Sequence, residues 1–168
     1  LARWQSASKN LFVWDYTVQF ANYMSTFPNL SYFEENYTTF KANNVKGLFV
    51  QGYADVPGDF SELRQYLLAK LLWDASIDVK ATTADFLRGF YGKAASEIEN
   101  YLKLLSENQK KSKAYLDIYS GPVQNRTTYL TPEAMNQYDK FLEKAWQAVD
   151  EDKTIQKRVE KLRLALEY

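Results

Sequence analysis

Two short, mostly apolar runs end in polar and aromatic residues: Leu11-Phe12-Val13-Trp14-Asp15-Tyr16-Thr17 and Gly47-Leu48-Phe49-Val50-Gln51-Gly52-Tyr53. The run over 11–16 reads as a buried strand, with Phe12, Trp14 and Tyr16 on one side and Leu11, Val13 and Asp15 on the other. A second strand is predicted over 47–52. Between them, Leu30, Phe33, Tyr37 and Phe40 recur at helical spacing, and Asn43-Asn44 supplies a stop. The loop Asp55-Val56-Pro57-Gly58-Asp59 then leads into an apolar helix built on Phe60, Leu63, Leu67, Leu68, Leu71 and Leu72. The order strand, helix, strand, helix predicts parallel pairing with a right-handed crossover. Two parallel strands fall short of the larger, doubly covered sheets in which such strands are normally found.

From residue 82 the pattern is helical throughout. Thr82 or Thr83 is placed to cap a helix carrying Phe86 and Phe90, and Gly92 breaks it before a longer one using Ala95, Ile98, Leu102 and Leu105. Ser120-Gly121-Pro122 reads as a turn. Thr131-Pro132 has the order of cap followed by proline, ahead of a stripe of Met135, Tyr138, Leu142, Ala145 or Trp146, and Val149. A last helix uses Ile155, Val159, Leu162 and Leu166. The predicted fold class is mainly α with a short parallel β-α-β-α element, followed by an antiparallel bundle of about three helices.

Composition narrows the chemistry. With 168 residues, 46% of them hydrophobic, the chain can bury a real core. Its 21 basic and 21 acidic residues balance, which argues against a nucleic-acid or anionic-membrane partner. There is no histidine and no cysteine, so the usual zinc ligand sets, His-dependent nucleophile systems and disulfides are excluded, and no cofactor is expected. No apolar run approaches the ~20 residues of a membrane span, and the first residues do not read as a signal peptide. Aromatic residues make up 16% of the chain and concentrate before residue 92, offering flat faces with polar edges that suit sugars as well as cores.

Val13-Trp14-Asp15-Tyr16-Thr17, Phe27-Pro28-Asn29-Leu30, Asn43-Asn44-Val45-Lys46-Gly47, Gln51-Gly52 and Leu71-Leu72-Trp73-Asp74, followed by Asp85-Phe86-Leu87, Phe90-Tyr91-Gly92 and Ala94-Ala95, resemble the DUF4838 family in order and spacing. That family is bacterial, common in gut Bacteroidetes and often extracytoplasmic, and it looks like glycoside hydrolases with a (β/α)8 barrel followed by helices. The resemblance implies that residues 1–80 are the C-terminal part of such a barrel and residues 81–168 a helical domain. A full barrel takes ~250 residues, so the chain is expected to be a C-terminal piece of a longer protein. An extracytoplasmic location is likewise implied by the resemblance alone.

Strand ends are where a parallel α/β scaffold delivers ligand-contacting side chains. Trp14 and Tyr16 are candidate stacking platforms for a sugar ring, against the alternative that strand aromatics are core. Gln51 can donate to and accept from sugar hydroxyls, Gly52 permits close backbone approach, and Tyr53 follows as a weaker candidate. Asp15 is a candidate ligand contact whose alternative is a structural carboxylate held by backbone or arginine; Asp55 is a lesser one. Glycoside hydrolysis needs two carboxyl groups flanking the bond. In related barrels the proton donor comes from an earlier strand, so catalytic residues are left unassigned. Trp73-Asp74 reads as architectural, with Trp73 buried, and Lys110, Lys111 and Lys113 as a solvated helix face. Asn29, Asn36 and Asn125 begin short glycosylation-type patterns of low specificity.

The expected function is therefore the C-terminal portion of a glycoside hydrolase-like, carbohydrate-active protein, forming one side of a cleft for an oligosaccharide or polysaccharide. The alternatives are a noncatalytic glycan-binding module and a purely structural helical domain. The hydrophobic edges at 11–16 and 47–52 are expected to be exposed, or covered by a second copy or by the chain's own helices.

Overall fold

The computed structural model describes residues 1–52 and 58–167. An exposed helix α1 (Ala2–Ala7), which the apolar pattern did not announce, precedes strand β1 (Leu11–Tyr16). A 3-10 turn (Leu30–Tyr32) leads into α2 (Phe33–Ala42), which ends where Asn44 adopts a left-handed φ of 57°. Strand β2 (Val45–Gln51) starts two residues before the predicted boundary, because Leu11 still pairs with Val45 across a register shift before Phe12 meets Gly47. The strands are parallel and form a two-stranded sheet, with Trp14 opposite Phe49 and Tyr16 opposite Gln51.

The rest is helical: α3 (Ser61–Trp73), α4 (Val79–Tyr91), α5 (Ala95–Ser112), the short α6 (Pro122–Asn125), α7 (Pro132–Gln147) and α8 (Lys153–Glu167). Helix α4 begins earlier than expected, because Asp78 is its cap: its carboxylate accepts from the Ala81 N–H at 2.8 Å. Thr82 and Thr83 lie inside the helix, and their hydroxyls donate back to the Asp78 and Val79 carbonyls. Gly92, at φ 52°, breaks the chain between α4 and α5, and Thr131 caps α7 through the Ala134 N–H.

One hydrophobic core runs through the helices, from Leu63, Leu67 and Leu71 of α3 through Leu87, Ile98 and Tyr101 to Tyr138, Leu142, Val159 and Leu162. Leu48 and Val50 of β2 pack against it, so helices cover one face of the sheet; β1, expected to be a buried strand, is sheltered on that side only, because no helix among the described residues covers the other. Trp73 was expected to be buried and is instead 91% exposed. The buried positions of α3 include Arg64, Leu67, Leu68 and Leu71, spaced as one helical stripe, and residue 73 falls off it.

Arg64 on that stripe is buried. Its guanidinium donates to the Thr17 carbonyl at 2.8 Å, the Phe27 carbonyl at 3.3 Å, the Asp59 carbonyl at 3.2 Å and the Asn29 side-chain oxygen. Asn29 in turn donates to Thr17 at 3.0 Å, and the Asp59 carboxylate, 4.0 Å from the guanidinium, accepts from the Phe27 N–H. The segment leaving β1 is thus fastened to the start of α3. Phe60, just before α3, is held in a left-handed conformation (φ 49°) while buried against Tyr101. Such backbone costs on the order of 1–3 kcal/mol and persists where the surroundings fix it.

Burial pushes the Asp59 carboxyl up to about 6, against the opposing pull of Arg64 and of the Phe27 N–H. Burial also brings Arg64 down to about 10, with Asp59 acting the other way. An unfolded Asp titrates near about 3.9, so between that pH and about 6 the folded chain holds the proton more tightly. Stability contributed by Asp59 therefore falls as pH rises through this window, by on the order of 3 kcal/mol. Urea melts from pH 4 upward should show Asp59→Asn removing that component; identical slopes in the two proteins would refute it. In the same assay at neutral pH, Arg64→Met should lose about 3–5 kcal/mol, because it leaves a buried carboxylate without its cation and takes one donor from each of three carbonyls, of which Thr17 and Phe27 keep a bond from Asn29. Arg64→Lys should recover only part of this, since a point charge cannot reach the same set of acceptors.

Candidate functional site

The pleat of β1 sorts its side chains. Phe12, Trp14 and Tyr16 are 74%, 61% and 40% exposed, while Leu11, Val13 and Asp15 are half-buried on the other side. Parallel register brings Phe49 (57% exposed) and Gln51 beside them, so Trp14, Tyr16, Phe49 and Gln51 share the face that the helices leave open. The Phe12 ring lies over Gly47, where a Cβ would meet it at 2.6 Å.

The rings on this face are mutually supported. Trp14 and Tyr16 stack with centroids 6.2 Å apart at 23°, and Phe49 meets Trp14 edge-on at 4.8 Å. The indole N–H of Trp14 donates to the Gln51 side-chain oxygen at 3.1 Å, which fixes the indole edge and leaves the Gln51 NH2 as a donor. At the strand ends, the Thr17 N–H donates to the Gln51 carbonyl at 3.1 Å. Gly52 sits against Thr17, where a Cβ would come within 2.3 Å of the hydroxyl.

Asp15 is not brought together with Trp14 and Tyr16. Its carboxylate accepts from the Tyr16 N–H at 3.0 Å on the helix-covered side. Burial raises its pKa, and that hydrogen bond partly opposes the shift. The Tyr37 phenol on α2 is pushed up as well, mainly by burial and secondarily by the charge of Asp15. Tyr53 and Asp55 lie outside the described residues. Asn29 and Asn125, from the glycosylation-type patterns, use their side chains in internal hydrogen bonds. Lys110, Lys111 and Lys113 are exposed.

Two members of the open face were not singled out from the sequence. Phe49 was recoverable, because parallel pairing of the two predicted strands sets it against Trp14. Phe20 was not: it meets Tyr16 edge-on at 5.5 Å through a turn with no repeating pattern. A separate cavity of about 430 Å3 opens among Leu30, Val79, Leu102 and Leu105 and shares no residue with this face. Among the described residues, no group of three or more acidic side chains is arranged to hold a metal ion, and no helix is long and apolar enough to cross a membrane.

Rigid aromatic rings, an oriented indole N–H and a free amide donor form a surface able to stack on a flat apolar ligand face and hydrogen-bond to its rim. No curated protein and no solved structure matches the chain. The family model described as domain of unknown function DUF4838 matches residues 1–103, which hold both strands and Trp14, Asp15, Tyr16, Gln51 and Tyr53, and the chain belongs to that family.

Proposed function

We propose that the open face of the sheet is a carbohydrate-binding surface, contributed by this chain to a glycoside hydrolase-like protein. On this reading the two strands correspond to the last strands of a (β/α)8 barrel, the helices from α4 onward form an antiparallel bundle behind it, and the protein works outside the cytoplasm. The observation that carries the reading is the Trp14–Gln51 pair: an exposed indole, held by the amide at 3.1 Å and flanked by Tyr16 and Phe49. The axial C–H groups of a pyranose make an apolar face that such a ring accepts, while the Gln51 NH2 is free for a hydroxyl.

The parallel pairing and the one-sided covering by helices support the barrel comparison. In a barrel the uncovered face would turn inward and the ends at Tyr16 and Gln51 would lie at the carboxyl edge, where sites are built. The outer edges of both strands have no strand partner among the described residues, and further strands or a second copy would cover them.

A second reading, a noncatalytic glycan-binding module, draws on Asp15. This carboxylate faces the helices, so the described part of the open face offers aromatic and amide groups and no acid. The contribution assigned to this chain is therefore binding, and hydrolytic carboxyl groups are assigned to none of its residues.

The test is a tryptophan-fluorescence titration against plant and host-type oligosaccharides. Trp14→Ala should weaken saturable binding by roughly tenfold or more while costing about 1 kcal/mol of stability or less. Gln51→Ala should weaken binding roughly threefold to tenfold, since it frees the indole and removes a donor. A folded protein that binds no glycan, or a Trp14→Ala variant that binds as well as its parent, would overturn the proposal.

A further inference from the structure

The aromatic surface does not stop at the strand ends. Beyond Tyr16 the row continues to Phe20, 5.5 Å away, and from Phe20 to Tyr119, 6.4 Å away at 38°. Tyr119 is 73% exposed and lies past residue 103, where the family match ends. Backbone bonds bring it to the sheet: the Phe20 N–H donates to the Ile118 carbonyl at 2.7 Å, and the Ala21 N–H to the same oxygen at 3.4 Å. The turn carrying Tyr119 is itself tied, with Asp117 accepting from the Tyr119 N–H at 2.9 Å and from the Ser120 N–H at 3.2 Å. The backbone at Tyr119 is thus set before any ligand arrives, and the ordering left to binding is that of its side chain.

From these observations we infer that Tyr119 forms a remote subsite and that the surface takes a linear neutral oligosaccharide rather than a single sugar. This rests on the carbohydrate reading of the Trp14 face. Successive ring centroids from Trp14 to Tyr16, Phe20 and Tyr119 lie 6.2, 5.5 and 6.4 Å apart, so three ring-to-ring steps separate Trp14 from Tyr119. One sugar on Trp14 therefore leaves Tyr119 unused, whereas a chain of several sugars reaches it. Charge selects the neutral class. Trp14, Tyr16, Phe20, Gln51 and Tyr119 bring no cation to the surface, and the charged side chain fixed beside Tyr119 is Asp117, which repels uronate or sulfated sugars.

The experiment titrates the chain with neutral ladders (β-1,4-glucan, mannan, xylan and α-1,4-glucan) from disaccharide to hexasaccharide, and with oligogalacturonates of matched length, by calorimetry and tryptophan fluorescence. Affinity should rise roughly tenfold between disaccharide and tetrasaccharide in one neutral ladder, with oligogalacturonates at least roughly tenfold weaker. Tyr119→Ala should abolish the rise while leaving disaccharide affinity within about twofold, and Tyr119→Phe should keep most of it. Glycan binding without length dependence, an equal loss at every length in Tyr119→Ala, or acidic chains bound as well as neutral ones would overturn the subsite and leave the Trp14 surface standing. Absence of binding to every ladder would overturn both.

Discussion

A buried guanidinium organises the part of this protein that faces outward. Arg64 gathers the Thr17, Phe27 and Asp59 carbonyls onto one rigid, planar donor, and Asn29 closes the arrangement by bonding both Arg64 and Thr17. Backbone carbonyls buried away from water need donors, and a loop leaving a parallel strand has no ladder to supply them. One arginine on α3 serves three points of the chain, with Asn29 as a second donor to Thr17 and Phe27. Because Thr17 directly follows Tyr16, the same contacts set where β1 ends and where its aromatic side chains stand. Asp59 shares the site on poorer terms, with one oxygen held by Phe27 and the other, Oδ1, buried without a partner among the described residues. Burial of this carboxylate is the origin of its raised pKa, which Arg64 and the Phe27 N–H only partly oppose.

From this anchor outward the pleat makes the decisive division. Consecutive residues of β1 face opposite ways, so Trp14 and Tyr16 look outward while Asp15 between them is turned toward α2. A strand cannot present all three to one ligand. The division also separates roles: the residues turned toward the helices support the core, and the outward residues are free to meet something else. On the proposed reading that partner is a sugar, for which an aromatic face with a polar edge is chemically apt.

Much of the local structure was legible in the sequence, and the reasons are physical. Strand β1 follows from a short apolar run, too brief for a helix, whose side chains alternate between two faces, and α2, α5, α7 and α8 from apolar spacing that only a helix reconciles. The Trp14–Tyr16 face was legible by the same period, but whether it was covered was not, because alternation fixes sides and not neighbours. Trp73 was misread for a related reason: helix α3 carries apolar residues nearly all round, with Tyr66, Ala69 and Trp73 opposite the leucines, so its buried stripe is poorly marked by apolar residues alone. The missing clue was Arg64, which stands three, four and seven residues before Leu67, Leu68 and Leu71 and therefore lies on the buried side. A charge in that position reads as solvent-facing until its acceptors, all distant in sequence, are known. Tyr119 illustrates the limit most clearly, since it joins the surface through two backbone bonds between segments almost a hundred residues apart.

Those long-range bonds bear on how an open aromatic surface can be selective. Exposed rings on flexible loops would give adaptable, weakly oriented contacts, since each ring must be ordered at the moment of binding. Here the rings stand on fixed positions: Trp14 is held by Gln51 and Phe49, Tyr16 by Trp14 and the strand pairing, and the backbone carrying Tyr119 by its tied turn and the Phe20–Ile118 bond. The spacing between rings is then a property of the fold, and a ligand must match it. On the proposed reading, a surface of this kind discriminates by length, and its polar edge at Gln51 adds a direction along which hydroxyl groups are read. Binding selectivity can therefore reside in this chain even when its one carboxylate on β1 is committed to the interior.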